Sequence, residues 1–294
     1  VISGKALVDH FNVSKLAVEQ RETKLNPEED IPGLYEVKWA DGNELVVKGG
    51  ELKGYLDMRD GNEGQNGSPI YKGIPYYIKK LNQFVRTFAK AFNEGIIDLD
   101  GDGVIDDGSG HADGYRLDSA EGDGPSGVRF FTISANDGNP LDSKAFMALS
   151  KTGDIDEIYG KITAKNFCVS YDVMTDIYSI SASDTAGEVG NTGNLNSLIK
   201  LRHNSHMFAE GKPEDFIKSV IATLGIDSQQ AGMRESSQAN IIKQVENRRI
   251  SYSGVSLNEE MANLVRHQHA YNAAAKMIQT MSEIYDILIN QLFV

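Results

Sequence analysis

The pattern of apolar and polar residues predicts a β-rich hairpin region over residues 1–50. Between residues 35 and 39 apolar side chains alternate with charged ones, and the pair Asp41-Gly42 separates them from a second apolar run at 45–47. Alternating segments on either side of an Asp-Gly corner are a strong signal of a two-stranded hairpin. The earlier stretch SKLAVEQRE, residues 14–22, is expected to be a partner strand.

Residues 51–95 are predicted to contain a helix of a helical core domain. Within IPYYIKKLNQFVRTFAKAFNEG the apolar residues recur at spacings of three and four, which places on one helix face Ile78, Leu81, Val85, Phe88 and Phe92. Pro75 stands where a first-turn proline is tolerated, and Gly95 is a natural C-terminal stop. The polar, glycine-rich stretch 61–68 before this helix is predicted to be a loop.

Residues 96–190 predict an acidic loop and a small β-rich outer insert, with VRFFTIS and KNFCVSYDV as strands. Residues 191–254 predict the returning helices of the core domain, one within NLNSLIKLRHNSHMF and one from Pro213 to about Arg249. The middle of the second helix, GIDSQQAGMRESSQAN, is polar and contains Gly225 and Gly232. Because such a segment is not stable alone, we expect neighbours or a break there.

Residues 255–294 predict a C-terminal coiled-coil helix. Ser256 and Glu259 have the S-x-x-E spacing of a capping box, in which each side chain satisfies the other's backbone N–H. Alternating spacings of four and three, the register of a coiled coil, then connect Leu257, Met261, Leu264, Gln268, Tyr271, Ala275, Ile278, Ser282, Tyr285, Ile289 and Leu292. Gln268 and Ser282 are the polar exceptions.

The apolar stripe of this helix is predicted to be an assembly surface. A buried core helix is the alternative, but a core helix needs chain on both sides of it, and this helix stands at the end of the sequence. We therefore expect a partner helix to cover it, from earlier in the same chain or from another subunit. The predicted interface residues are Leu257, Met261, Leu264, Tyr271, Ala275, Ile278, Tyr285, Leu288 and Leu292.

These elements predict an α+β fold, in which long terminal helices form a coiled-coil or helical-bundle core with inserted β-rich segments. The chain has 294 residues, a formal net charge of −13 and 40% hydrophobic residues. The acidic balance argues against nucleic acid and anionic membranes as partners, since both require basic residues. No apolar run approaches the ~20 residues of a membrane span. The single cysteine, Cys168, excludes an internal disulfide, and the lack of catalytic motifs argues against an enzyme.

The acidic stretch DLDGDGVID resembles the first part of a calcium-binding loop. Its aspartates occupy positions 1, 3, 5 and 9 of such a loop, and the backbone carbonyl of residue 104 would supply position 7. The predicted ligands are therefore Asp98, Asp100, Asp102, Val104 and Asp106. Position 12, normally a bidentate Glu, is Ser109, so a metal-free acidic loop is the alternative.

The C-terminal block SGVSLNEEMANLVRHQHAYNAAAKMIQTMSEIYDILINQLF resembles the signature of bacterial flagellar axial proteins. Two further stretches, GGELKGYLDMRDG and IPYYIKKLNQFVRTFAKAFNEG, followed by an acidic loop, are similar to the hook-associated protein 1 family. In that family N- and C-terminal helices pair into an inner coiled coil, and β-rich domains project outward. The chain begins at Val1 without a methionine, so we expect it to be part of a longer protein, and the family's N-terminal helices are absent from it, so we expect it to be the C-terminal portion.

The resemblance implies a structural subunit that joins the hook to the filament and assembles through its C-terminal helix. It implies an extracellular location, reached through flagellar type III export without a cleaved signal peptide. The implied partners are the hook protein, hook-associated protein 3, further copies in a ring and an export chaperone. This role requires no cofactor, and Ca²⁺ is the one ion that the sequence suggests. The alternatives are a calcium-dependent extracellular binding module or adhesin, and a sibling axial protein such as hook-associated protein 3, a hook subunit or flagellin.

The acidic loop should bind one calcium ion weakly, on the order of 10⁻⁴ to 10⁻³ M, because it lacks the bidentate Glu at position 12. Titration calorimetry of the wild-type chain should show this binding, and Asp100→Ala combined with Asp102→Ala should abolish it. The control is Asp118→Ala combined with Asp123→Ala, which removes the same charge outside the loop. The absence of a heat signal from the wild type at millimolar calcium would contradict the site.

Overall fold

The computed structural model describes residues 2, 4–97 and 106–290. These residues form helices together with small antiparallel sheets, so the predicted α+β class is confirmed. Contacts divide the chain into two compact units, Val1–Thr223 and Leu224–Val294. The finer division into five segments stays a prediction.

Residues 1–50 contain two small hairpins. Strand β1 (Val8–Asp9) pairs with β2 (Asn12–Val13), and β3 (Leu16–Gln20) pairs antiparallel with β4 (Tyr35–Trp39). The partner strand predicted within residues 14–22 is therefore confirmed.

The prediction of a strand at residues 45–47 is wrong. The Asp-Gly turn is present, with Gly42 at a φ of 83° and its N–H donating to the Trp39 carbonyl at 2.9 Å. Beyond the turn, pairing with β4 stops after a single bridge from Glu44 to Lys38. Leu45 turns inward and is buried, and the chain then leads into a helix instead of extending the sheet.

A buried guanidinium joins this β region to helix α1 (Glu51–Asp60). Arg21 Nε donates to Glu36 Oε1 at 2.7 Å, and its Nη1 and Nη2 donate to the two carboxylate oxygens of Asp60 at 3.2 and 2.9 Å. Burial raises the pKa of the Asp60 carboxyl, but Arg59 and Arg21 outweigh it and leave the pKa below its ordinary value. The bidentate pair fixes distance and orientation together, so it holds the hairpin in place on the helix.

Helix α2 (Ile74–Glu94) is the centre of the first unit. Pro75 lies in its first turn, and Gly95 ends it in the left-handed conformation at a φ of 68°, both as predicted. A Cβ atom on Gly95 would lie 1.9 Å from the carbonyl oxygen of Gly108, so a side chain is excluded there on steric grounds as well.

Two hydrophobic cores pack on different faces of α2. The first contains Phe84, Phe88, Ala91, Phe92, Ile97, Leu198, Leu201, Met207, Phe208, Phe216, Ile217 and Val220. The second contains Val85, Ala89, Phe131, Ile133, Leu141, Phe146, Met147, Leu149, Ile155, Ile158, Tyr159, Ile162 and Phe167. The sequence predicted one apolar face for this helix, and the buried surface of α2 is wider than that face. Phe84 and two alanines also contribute to the cores, whereas Leu81, which was predicted on the apolar face, is exposed.

The segment 96–190 is less rich in strands than predicted. The short strands β5 (Ile96–Ile97) and β6 (Asp106–Asp107) pair, as do β7 (Phe131–Ile133) and β8 (Phe167–Val169). Between and after them lie three short helices, α3 (Ser143–Met147), α4 (Ile155–Gly160) and α5 (Tyr171–Thr175). The predicted strands VRFFTIS and KNFCVSYDV are confirmed in part, and they pair with each other next to α2.

The remaining elements are α6 (Gly193–Leu201), α7 (Pro213–Ser253) and α8 (Leu257–Asn290). Helix α6 is shorter than predicted, because Met207 and Phe208 leave the helical path and turn into the first core. The break that was one of two alternatives for the polar middle of α7 is wrong, and the other alternative, neighbouring helices from other subunits, stays a prediction. The helix runs without interruption through Gly225 and Gly232, and the side chains around them are exposed.

Substitution of the buried Arg21 should destabilise the first unit strongly. Arg21→Met leaves the carboxylates of Glu36 and Asp60 without this cation, and since Arg59 still compensates Asp60 we expect a loss of about 3 kcal/mol. The matched control is Arg202→Met, because exposed Arg202 pairs with exposed Glu214 at 2.7 Å and such pairs contribute about 0–1 kcal/mol. Urea unfolding of both variants measures the difference, and equal midpoints would show that the Arg21 cluster adds no stability.

Candidate assembly surface

Helix α7 is anchored at its start and uncovered afterwards. Phe216 is fully buried, with its ring 4.8 Å from that of Phe208 and 5.7 Å from that of Phe84. Within the described residues 228–289, by contrast, every residue is exposed except Asn263, which is half-buried. At 1.5 Å per residue, the 41 residues of α7 and the 34 of α8 correspond to roughly 60 and 50 Å of helix.

Helix α8 begins where the sequence predicts. The N–H of Glu259 donates to Ser256 Oγ at 3.4 Å, and the N–H of Glu260 donates to the Ser256 carbonyl at 3.0 Å. Immediately before this, the N–H of Gly254 donates to the Ile250 carbonyl at 2.7 Å and closes the end of α7. Ser256 therefore acts as an N-cap, which separates the two long helices by a three-residue connection.

The structure brings the predicted interface residues together along α8. Leu257, Tyr271 and Ile278 leave 79%, 74% and 71% of their surface exposed, and the others are exposed too: Met261, Leu264, Ala275, Tyr285 and Leu288. Leu292 lies outside the described residues. No described part of the chain buries these side chains. An internal core therefore does not explain an exposed apolar surface of this length.

A second apolar strip on α8 was missed by the sequence analysis. Met277, Met281, Ile284 and Leu288 also follow spacings of four and three, and at ~100° per residue they lie about 110° around the axis from the strip of Ile278. Leu288 belongs to this second strip, whereas Ile289 continues the first. A shallow groove along it is lined by Ala273, Lys276, Met277, Thr280 and Met281. The 4-3-4 spacing in the sequence was the signal that could have revealed it.

The two helices carry little of the protein's charge. Residues 224–294 contain six Lys or Arg and seven Asp or Glu, so they carry a net charge of about −1 out of −13. The acidic excess therefore lies in residues 1–223. Copies of the helical unit brought side by side would repel one another only weakly, which suits a surface that packs against similar helices.

The predicted calcium ligands cannot be placed. Asp98, Asp100, Asp102 and Val104 lie outside the described residues, as does the side chain of Asp106, whose backbone forms part of β6. In the described part of the chain, no three His, Cys, Asp or Glu side chains are grouped so as to hold a metal ion. None of its helices combines the length and the apolar character that a membrane crossing requires.

The comparison with known protein families first defines a class. Residues 246–292 match the family described as "Flagellar basal body rod FlgEFG protein C-terminal". This match covers the whole of α8 together with the last two turns of α7. The exposed helix is thus similar to the C-terminal segment of flagellar rod proteins.

Individual relatives give a more specific result. The chain is 28% identical to flagellar hook-associated protein 1 of Bacillus subtilis (strain 168) over 82% of its own length and 38% of that protein's. It is 32% identical to flagellar hook-associated protein 1 of Escherichia coli (strain K12) over 42% of its length and 23% of that protein's. The protein of the same name from Salmonella typhimurium is 28% identical over 44% of this chain and 24% of that one. No solved structure matches significantly.

These matches confirm the resemblance seen in the sequence. The chain is similar to flagellar hook-associated protein 1, as the sequence predicted. It spans about two fifths of the Bacillus relative and about a quarter of the enterobacterial ones.

In the isolated chain, the backbone amides of α8 should exchange with solvent much faster than those of α2. Helices without tertiary packing are marginal in water, whereas α2 is held between two cores. Hydrogen exchange measured by mass spectrometry should give protection factors at least about tenfold lower for α8, with α2 as the internal control. Equal protection in a dilute, monomeric sample would show that α8 is stable without partners.

Proposed function

We propose that this chain is the C-terminal portion of a subunit that joins the hook of a bacterial flagellum to its filament. The observation that carries the proposal is the coincidence of two features on α8. It carries exposed apolar side chains along its described length, and it is the segment that matches the flagellar rod family. The names of the relatives support the more specific place at the hook.

Assembly is the physical explanation of the uncovered helix. Burying a large apolar side chain contributes about 1.5–3 kcal/mol, and the first strip alone offers several such side chains in a row. Leucine and isoleucine at alternating spacings of four and three pack against a second helix as knobs into holes. A helix that is marginal alone would thereby become stable in the assembled flagellum.

The second strip indicates more than one neighbour for α8. Two apolar strips about 110° apart on one helix cannot both face a single partner helix, because each coiled-coil seam occupies one side. We therefore propose that α8 packs between at least two helices. These would come from other axial proteins, namely the hook protein and hook-associated protein 3, and from further copies of this protein in a ring.

The same surface explains the need for export in a protected form. Before assembly the strips of Ile278 and Met281 would remain exposed to self-association, and an export chaperone would cover them. We propose an extracellular location, reached through the flagellar export apparatus without a cleaved signal peptide. The proposed role requires neither catalysis nor a cofactor, and calcium would at most stiffen the acidic loop.

The substitution Ile278→Asp tests the first strip. It places a charge in a helix interface without a partner, which is costly, so the full-length protein should fail to incorporate and cells should carry hooks without filaments. The control is Asn272→Asp, which adds the same charge at an exposed position about 120° around the axis from Ile278 and about 180° from Met281. Motility and electron microscopy of cells that express each variant in place of the wild type measure the effect.

Two further measurements make this test decisive. Met281→Asp should also reduce incorporation if the second strip packs against another subunit. The melting temperature of the purified chain should hardly change in any variant, because residues 272 and 278–281 are exposed in the isolated chain. Normal filaments with Ile278→Asp, or a collapse of the melting temperature, would contradict the proposal.

A further inference from the structure

A buried histidine lies at the contact of three chain segments in the first unit. His111 is 1% exposed and stands in a single turn of 3-10 helix (His111–Asp113). Its ring lies 5.3 Å from the Phe130 ring and 6.2 Å from the Phe92 ring of α2. The imidazole is therefore enclosed by aromatic groups and has no access to water.

Both ring nitrogens of His111 are engaged with the backbone. Nδ1 lies 2.7 Å from the carbonyl oxygen of Val128, which can only accept, so Nδ1 carries the proton and donates. Nε2 lies 3.0 Å from the N–H of Ser181 and must accept it. This pattern requires the neutral imidazole with one defined tautomer.

The Ser181 hydrogen bond belongs to a set that fastens residues 179–183 to the rest of the unit. Asn194, buried at the start of α6, donates to the carbonyls of Ser181 and Gly110 at 2.8 and 3.2 Å. The N–H of Tyr115 donates to the Ser183 carbonyl at 2.9 Å, and the hydroxyls of Ser126 and Ser181 are 2.5 Å apart. We call residues 179–183 the latch segment.

The charged groups around His111 are occupied by other partners. The Asp113 carboxylate accepts the N–H of Gly110 at 2.9 Å, and Arg129 pairs with Glu94 of α2 at 2.9 Å. Asp184, which follows the latch segment, accepts from Asn191 at 2.8 Å. Among the described residues, a proton on His111 would therefore meet aromatic rings and a backbone N–H, and the nearby carboxylates of Asp113, Glu94 and Asp184 have other partners.

We propose that His111 is an acid-sensitive latch, in which protonation of Nε2 breaks the hydrogen bond from Ser181 and releases the latch segment from residues 109–130. The first core on α2 meets the His111 ring at Phe92, and we expect both cores to remain packed when the latch opens. The latch makes the attachment of residues 179–183 to residues 109–130 dependent on the pH of the medium. It does not depend on the flagellar role proposed above.

The direction of the pH dependence follows from the neutral state of the ring. Burial lowers the pKa of His111 below its ordinary value of 6.5, and the hydrogen bond to the Val128 carbonyl opposes this only in part. The closed state therefore binds fewer protons than the open one at any pH below about 6.5. The latch is fully stable above that pH, and its closing equilibrium falls by up to about tenfold per pH unit below it.

Hydrogen exchange of the wild-type chain at pH 5 and pH 7 tests the latch directly. After correction for intrinsic exchange rates, the protection of the Ser181 amide should fall by about tenfold or more, and that of the Tyr115 amide should fall with it. Amides of Ala89 and Ala91 in α2 should keep their protection. Unchanged protection at Ser181, or an equal loss in α2, would overturn the proposal.

The variant His111→Gln removes the titrating group and retains an amide that can donate and accept. Its Ser181 protection should be independent of pH between 5 and 7, whereas the control His206→Gln, at an exposed position, should behave as the wild type. A folded His111→Gln variant that keeps the pH dependence would overturn the proposal. If that variant does not fold, the wild-type comparison decides alone.

Discussion

The first unit depends on the burial of α2 on two faces at once. Ala89 and Ala91 are fully buried two positions apart, and each belongs to a different core. Small side chains at these positions let packed elements approach the helix closely. Several described segments that follow α2 pack on these cores, among them β7, α4 and the start of α7. Their positions are consequently defined by one helix and not by an extended sheet.

Buried polar groups define how the loops are oriented on this helix. The Asn93 side chain is fully buried, donates to the carbonyl of Phe131 at 2.7 Å and accepts its N–H at 3.0 Å, as a neighbouring strand would. Glu94 accepts from Arg129 at 2.9 Å and from the Tyr159 hydroxyl at 2.8 Å. Apolar burial alone tolerates small shifts, whereas these bonds fail when their geometry changes, so they specify one arrangement.

The two long helices follow a different principle. After Phe216 and Val220 the described part of the chain contributes no further side chain to a core, although apolar residues continue along α8. The cores of the first unit bury apolar side chains from several elements, whereas residues 228–289 bury none. The near-neutral charge of the second unit and its two apolar strips are consistent with packing against other helices. Stability and assembly are thus separated along one chain.

The sequence by itself determined the elements whose signals are local. The 3.6-residue period revealed α2 and α8, the Ser256 cap marked the start of α8, and alternation identified β4 and its partner β3. It also revealed the C-terminal signature that connects the chain to flagellar proteins.

The tertiary structure alone decided how distant residues meet. It paired Arg21 with Asp60, which are 39 positions apart, and His111 with Ser181, which are 70 apart. It placed Phe84 in a core and left Leu81 exposed, and it ended the pairing of β4 at Glu44. A periodic pattern indicates that one face of an element is apolar, but it gives no information on how far that face lies from other segments of the chain. Those distances arise only when the cores on α2 close, and with them the buried hydrogen bonds.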